Sequence, residues 1–134
     1  MRKNSKNPLP KAKAKAWKVF SEYIRRRDNG VCFTCGKKAH WKEMDAGHYL
    51  SKNKCGPVLF IHEINVHSQC TYCNRYLHGN LESYSRKLEE KYGMGILQEL
   101  HRVYLETHKL QYTIQDYENL YNHYKEKLCQ MNQK

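Results

Sequence analysis

Cys32-Phe33-Thr34-Cys35 and Cys70-Thr71-Tyr72-Cys73 are two C-x-x-C pairs in a chain of 134 residues, and the reading of the whole chain follows from their spacing. Together they supply four thiolates, the donor set that a tetrahedral structural zinc ion takes. The 34 residues between the pairs exceed the ~15–20 of a simple zinc ribbon. A zinc ion bound by Cys32, Cys35, Cys70 and Cys73 would therefore pin two distant segments together around an insert and hold that insert rigidly enough to carry a site. A single pair would leave buried or redox-active thiols as an equal reading, whereas two pairs favour zinc. Cys55 and Cys129 stand alone and read as unpaired thiols.

The insert predicts a β-hairpin. Its strands are residues 43–50 and 57–62, the second rich in Val58, Leu59, Phe60 and Ile61, with a lysine-rich loop and Gly56-Pro57 between them. A helix from about Ile64 to His78 carries the second cysteine pair and ends at Gly79. At the start of the chain, residues 1–10 read as a flexible basic arm with Pro8 and Pro10. A helix over Ala12 to Asp28 follows, in which Trp17, Phe20 and Ile24 fall at helical spacing and Asn29-Gly30 ends the run. Beyond Gly79, Asn80 reads as the cap of a helix to Tyr92, Gly93 as its end, and Met94 to Thr107 as another helix. Thr113 and Asp116 fit a capping box opening a last helix, where Ile114, Tyr117, Tyr121, Tyr124, Leu128 and Met131 alternate steps of three and four residues. The organisation predicted is α+β: the arm over 1–10, an N-terminal helix with a zinc-bound core over 11–80, and a helical extension over 81–134. The last seam packs either against the rest of the chain or in a homodimer.

The formal charge of +11 is concentrated at the start, where residues 1–27 hold ten Lys or Arg against Glu22 alone; residues 28–80 hold six against four and residues 81–134 eight against eight. A basic head of this kind attracts nucleic-acid phosphates without regard to sequence. A solvated tail that aids solubility is the plain alternative. Two Trp, eleven Tyr and three Phe within 40% hydrophobic residues argue for a folded domain. No apolar stretch approaches the ~20 residues of a membrane span, and the N-terminus lacks the apolar core of a signal peptide, so the expectation is a cytoplasmic protein with no membrane partner.

Chemistry-bearing residues cluster in the insert and just after it. Asp45-Ala46-Gly47-His48-Tyr49 ends the first expected strand, Asn65-Val66-His67 opens the expected helix, and Gln69-Cys70, Cys73-Asn74-Arg75 and Gly79-Asn80-Leu81 follow. This order resembles the His-Asn-His (HNH) endonuclease motif with its zinc-binding cysteines, in the variant whose last His is replaced by Asn. More narrowly, it is similar to the phage lambda NinG family, which is linked to recombination. The resemblance implies a zinc-stapled ββα-metal (His-Me finger) core with His48 as general base and Asn65 orienting the His-bearing loop. It also implies that Asn74 is a ligand of a catalytic divalent metal. An imidazole suits the base role because its ordinary pKa of about 6.5 leaves it mostly neutral at cellular pH. The position directly before the catalytic His, which usually supplies a second ligand, is Gly47 here. Asp45 is the expected replacement, since Mg²⁺ or Mn²⁺ in an open site takes at least one carboxylate; a Lys partner is the alternative for that side chain. His78, one helical turn beyond Asn74 on the expected helix, is a further candidate.

Lys52 and Lys54, in the loop after His48, and Arg75, beside Asn74, are candidates for holding DNA backbone phosphates. Tyr49, Tyr72 and Tyr76 read as packing against the zinc lobe. His40, His62, His101, His108 and His123 read as surface or core side chains, and His67 is unassigned. The expected function is a Mg²⁺- or Mn²⁺-dependent HNH endonuclease that hydrolyses DNA phosphodiester bonds in the bacterial or phage-infected host cytoplasm. The resemblance adds branched recombination intermediates of phage DNA metabolism as substrate. A nicking or duplex endonuclease of low specificity would use the same residues equally well. A zinc-containing nucleic-acid-binding module without catalysis is the reading from another class, and Gly47 is the residue that speaks for it.

Overall fold

Pro8 and Pro10 carry no backbone N–H, and the first turn of a helix is where that donor has no partner in any case. The computed structural model of the protein describes residues 7–133. There the prolines open a helix where the sequence reading places an arm: α1 runs Leu9–Arg27, and the Ala12 N–H donates to the Pro8 carbonyl at 3.0 Å. Residues 1–6 of the expected arm lie outside the described residues. Two compact units divide the chain, one formed by residues up to Tyr23 with Tyr112 onward, the other by Ile24–Gln111. The helical extension expected over 81–134 is thus shared between them.

In the first unit α5 spans Ile114–Asn132 and begins with the capping box that Thr113 and Asp116 predict. The Asp116 N–H donates to Thr113 Oγ1 at 3.1 Å, and the Thr113 N–H to the Asp116 carboxylate at 2.8 Å. Tyr117 and Tyr124 of the seam are buried. Tyr124 meets Phe20 of α1 nearly edge-on, with ring centroids 4.8 Å apart, and Tyr23 at 5.3 Å. Part of the seam is therefore engaged by α1 of the same chain.

The second unit is organised around two short antiparallel strands, β1 (Asp45–His48) and β2 (Val66–Gln69), with Asp45 opposite Gln69, Gly47 opposite His67 and His48 opposite Val66. β1 falls inside the expected 43–50, but its partner does not fall at 57–62. Those residues contain a short helix instead, α2 (Gly56–Phe60), with Pro57 in its first turn and Leu59 buried. A brief apolar run has no period that separates strand from helix, and a proline without a donor suits a helix start better than a paired strand. The helix expected over Ile64 to His78 is likewise replaced, by β2 and then a π-helical turn over Tyr72–Tyr76. Val66-His67-Ser68-Gln69 is polar in three of four positions, yet all four residues are buried.

Leu81–Tyr92 forms α3 and Ile96–Thr107 forms α4, close to the expected bounds. α2 and α3 both pack on α4, and Cys55, Leu59, Tyr84, Leu88, Ile96 and Leu100 make a common core. The start of α2 approaches the end of α4 so closely that a Cβ on Gly56 would lie 2.5 Å from the His108 Cα, at a backbone φ of +82° where other residues are strained in any case. The result is a helix-rich α+β fold with a small two-stranded sheet. No helix among the described residues is long and apolar enough to cross a membrane.

Tyr84 joins the helical core to the sheet: it is 0% exposed, and its hydroxyl donates to the Gly47 carbonyl of β1 at 2.7 Å. Tyr84→Phe should lower the unfolding free energy by about 1–3 kcal/mol, because the Gly47 carbonyl loses one donor and His67 Nδ1 its partner in a site closed to water. Urea unfolding of the two proteins measures this, and equal midpoints with equal slopes would contradict it.

Candidate functional site

The chain between Val31 and Lys38 folds back on itself, with the Cys32 N–H donating to the Lys37 carbonyl at 2.8 Å and the Gly36 N–H to the Cys32 carbonyl at 2.9 Å. That turn brings Cys32 and Cys35 to the π-helical turn that holds Cys73, and the four sulfur atoms of Cys32, Cys35, Cys70 and Cys73 lie within 4.8 Å of one another. A tetrahedron with zinc–sulfur bonds of about 2.3 Å has edges of about 3.8 Å. The Cys35 and Cys70 sulfurs are 3.8 Å apart. The cluster can therefore hold a metal such as zinc, as the two C-x-x-C pairs predict.

Donors surround the sulfurs as a thiolate site requires. The Cys73 N–H points to Cys70 Sγ at 3.4 Å and the Asn80 amide to Cys73 Sγ at 3.5 Å. Asn80 has a left-handed backbone and makes no side-chain cap on α3, so its side chain serves the cysteine cluster and not the helix end as expected. Burial alone would raise the Cys32 thiol, but hydrogen bonds from the Thr34 hydroxyl and neighbouring backbone outweigh it and bring the pKa down to about 6. Burial pushes Cys35 up to about 12. Four thiols this close cannot all ionise without a cation among them.

His48 lies at the end of β1 with its ring against Phe60 of α2. Its Nε2 is 2.9 Å from the Phe60 carbonyl oxygen, and the two rings stack at 5.5 Å with a 16° tilt. A carbonyl only accepts, so Nε2 carries the proton and the basic lone pair is on Nδ1. Burial, opposed by the bond to Phe60 and assisted by the nearby Lys52 charge, lowers the pKa to about 4. Asn65, fully buried, ties together the chain on both sides of this ring. Its Nδ2 donates to the Leu50 carbonyl at 3.1 Å and to the Leu59 carbonyl at 2.9 Å, while its Oδ1 accepts from the Leu50 N–H at 2.8 Å.

Asp45 and Asn74 come together as well, the Asn74 amide donating to the Asp45 carboxylate at 3.0 Å. The alternative partner expected for Asp45, a lysine, is replaced by Arg75, whose guanidinium reaches both carboxylate oxygens at 3.1 and 3.2 Å. Arg75 is 67% exposed and the Asp45 side chain 19%. His78 does not continue a helix beyond Asn74: the π-helical turn ends at Tyr76, and His78 is exposed with a φ of 53°. Lys52 and Lys54 are exposed in the loop after His48.

Gly47 has a packing reason to lack a side chain. A Cβ there would lie 1.9 Å from Gln69 Oε1 and 2.9 Å from Asn74 Oδ1. Gln69 reaches across from β2, with Nε2 donating to the Gly79 carbonyl at 2.9 Å and to Thr34 Oγ1 at 3.1 Å, while its Oε1 is buried with no hydrogen-bond partner. Leaving such an acceptor unpaired costs about 1–3 kcal/mol. The donors around Gly47 are thus hard oxygens, suited to Mg²⁺ or Mn²⁺ and distinct in kind from the sulfur cluster.

His67 is a core histidine. It stacks on Phe33 at 3.9 Å, and burial lowers its pKa to about 3. Tyr84 gives its one proton to Gly47, so at 3.3 Å His67 Nδ1 is the donor to Tyr84, and Nε2 accepts from the Tyr92 hydroxyl at 2.8 Å. Arg27 and Asp28, which the sequence reading passed over, fix β2 from the end of α1: Arg27 donates to the carbonyls of Glu63 at 2.8 Å and Val66 at 3.2 Å, and Asp28 accepts from the Ser68 N–H at 2.8 Å. Their one signal in the sequence is a charged pair directly before the Asn29-Gly30 turn. Tyr72 and Tyr76 do not pack against the zinc lobe as expected, being 62% and 72% exposed and stacked on each other at 6.2 Å.

The family model described as bacteriophage lambda NinG protein matches residues 1–134. Among curated relatives, the chain is similar to "Protein ninG" of Salmonella phage P22, 36% identical over 88 residues that cover 63% of this chain and 41% of the relative. "Protein ninG" of Escherichia phage lambda is 35% identical over the same length, with 63% and 41% covered, and that of Escherichia phage 933W is 35% identical, with 63% and 42% covered. The chain matches about two fifths of the length of these relatives. No solved structure matches it.

Two outcomes follow from the geometry. Elemental analysis of protein purified without chelator should find one zinc per chain, and Cys73→Ser should lose that zinc and unfold at a lower temperature; zinc-free native protein would contradict the cluster's reading. For His48, the folded pKa near 4 lies below the ordinary 6.5, so the unfolded chain takes up the extra proton between those values. The stability contributed by neutral His48 is present above about pH 6.5 and is lost as the pH falls towards 4. An NMR titration of the imidazole should find its midpoint near 4, and a midpoint at or above 6 would show that the ring is not buried in solution.

Proposed function

The chain belongs to the bacteriophage lambda NinG family, and from that premise we propose that it is a divalent-metal-dependent DNA endonuclease of the His-Asn-His type. The observation that carries the reading is the fixed tautomer of His48: its Nε2 is engaged by the Phe60 carbonyl, which leaves Nδ1 as its basic nitrogen. The burial that lowers its pKa to about 4 keeps that nitrogen unprotonated at pH 7 but makes it a weaker base than an ordinary imidazole. The β1 and β2 strands followed by the turn over Tyr72–Tyr76 are read as the ββα-metal motif. Asn65 acts as a positioning residue that sets the loop after His48. In the reaction, Nδ1 takes a proton from water, the water oxygen bonds to phosphorus, and the bond from phosphorus to the leaving sugar oxygen breaks, that oxygen taking a proton from solvent. Asp45 and Asn74 would hold the metal. A hard divalent cation, when bound, neutralises charge on the phosphoryl and leaving oxygens. Lys52 and Lys54 would hold flanking phosphates, with Arg75 between its carboxylate and the DNA backbone. Branched recombination intermediates are the proposed substrate, and duplex DNA cut with low specificity is the nearer alternative.

The bidentate engagement of Asp45 by Arg75 favours a second reading, a zinc-containing nucleic-acid-binding module whose carboxylate serves structure alone. Cleavage assays on matched four-way, flapped, single-stranded and duplex DNA with Mg²⁺ or Mn²⁺ separate the readings. His48→Ala should lower the cleavage rate by about 10²–10⁴ with DNA affinity and zinc content near wild type. Asp45→Ala and Asn74→Ala should weaken cleavage in a way that higher metal partly restores, whereas the missing base should not respond. Folded, zinc-loaded His48→Ala protein that cuts at the wild-type rate under saturating metal would overturn the assignment, and a wild-type protein that binds but cuts none of these DNAs would favour the module.

A further inference from the structure

Gln69 is one of two residues among those described with a buried side-chain polar atom that lacks a hydrogen-bond partner, the other being the Ser68 hydroxyl. A hydroxyl can rotate, but the Gln69 amide cannot turn over. Its Nε2 faces the Gly79 carbonyl at 2.9 Å, which only accepts, so Oε1 must take the opposite direction. That direction leads to the place where a side chain at residue 47 would stand, since an ideal Cβ on Gly47 falls 1.9 Å from Oε1. Asn74 Oδ1 is 2.9 Å from the same point. Its orientation is fixed in turn, because the other end of the Asn74 amide donates to Asp45 at 3.0 Å. Turning Asn74 over to offer Gln69 a donor would set Asn74 Oδ1 against the Asp45 carboxylate. Asp45 and Gln69 are also direct partners across the β1–β2 ladder, so their side chains leave the same face of the sheet.

We infer that Gln69 is a ligand of a hard divalent cation together with Asp45 and Asn74, its side-chain oxygen supplying from β2 the donor that residue 47 of β1 lacks. The inference rests on the reading of Asp45 and Asn74 as metal-holding residues. Two amide oxygens and a carboxylate suit Mg²⁺ or Mn²⁺ and do not suit zinc, which the sulfur cluster takes. The unpaired acceptor is then a ligand held ready by its own hydrogen bonds, as ligating side chains commonly are. Those bonds run to the cysteine cluster: Thr34 Oγ1 accepts from Gln69 at 3.1 Å and gives its own proton to Cys32 Sγ at 3.3 Å. The sulfur site thereby aims the oxygen site.

The test is Mn²⁺ binding to the zinc-loaded protein, read from the EPR signal of free Mn²⁺ and therefore independent of DNA cleavage. Gln69→Met, of similar length and without oxygen, should weaken Mn²⁺ binding by about tenfold or more. The double variant Gly47→Asp with Gln69→Ala should regain it, since shortening Gln69 removes the closest contact, the Asn74 side chain gives way from 2.9 Å by a few tenths of an ångström, and a carboxylate from β1 enters the space. Zinc content reports whether each variant is folded. If Gln69→Met loses zinc, wild-type protein with ¹³C-labelled glutamine side-chain amides decides, since a ligating Gln69 couples its amide carbon to the bound Mn²⁺ in pulsed EPR and no such coupling would overturn the inference. Wild-type protein that binds no Mn²⁺, equal affinity in wild type and folded Gln69→Met, or a zinc-loaded double variant that stays weak would each overturn the inference. Weakened Mn²⁺ binding beside a wild type that cuts no DNA would sink the nuclease reading alone, while Mn²⁺-dependent cutting with affinity indifferent to Gln69 would sink only this one.

Discussion

Four sulfur atoms within 4.8 Å of one another are the constraint to which the second unit answers. Thiols at this distance repel one another as soon as more than one ionises, and the favourable resolution is a soft cation shared by all four. The neighbours of the cluster are arranged for that outcome, with backbone and amide N–H groups directed at sulfur from Cys73 and Asn80. Each of these contacts also positions something else. The turn that holds Cys73 carries Asn74 and Arg75, Asn80 stands at the start of α3, and Thr34 connects Cys32 to Gln69. A metal at the sulfurs would thus be a fastening point for the oxygen-rich region around Gly47.

The second organising feature is a sheet too small to have a dry side made of hydrocarbon. β2 buries Val66 and three polar residues, and the unit tolerates this because most of their polar groups find partners: His67 with Tyr84 and Tyr92, the Ser68 backbone with Asp28, and Gln69 Nε2 with Thr34 and Gly79, leaving the Ser68 hydroxyl and Gln69 Oε1 without one. Water excluded from such a network makes every unmade bond costly, which favours a single arrangement of the strands over alternatives. Asn65 extends the same logic to the His48 loop, with three hydrogen bonds to two flanking segments. Rigidity here comes from polar satisfaction as much as from hydrophobic burial.

Burial also separates two chemistries that stand close together in the chain. His48 is enclosed against Phe60 and driven neutral, whereas Asp45, three residues earlier on β1, meets Asn74 and the exposed Arg75. A neutral imidazole and an ion-paired carboxylate need opposite surroundings, and a short strand with one enclosed end and one open end provides them.

Much of this was legible in the residues alone. The cysteine spacing pointed to a four-sulfur site, Thr113 with Asp116 marked the start of α5, Gly93 marked the end of α3, and the order of Asp45, His48, Asn65 and Asn74 pointed to the segment that the fold brings together. These are local or stoichiometric signals: a cap is decided within four residues, and a metal site by the number and kind of its donors. The pairing of β1 was misread because Val58 to Ile61 is apolar whether in strand or helix, and because Val66-His67-Ser68-Gln69 is polar in a place where polarity usually means solvent. Only the partners brought from elsewhere in the chain, Asp28, Thr34, Gly79, Tyr84 and Tyr92, make that strand a buried one. The same holds for Gly47, Arg75 and Gln69: which side chain fills the space above a glycine, and which cation answers a carboxylate, depends on distances between segments far apart in sequence. Those distances exist only once the chain has folded.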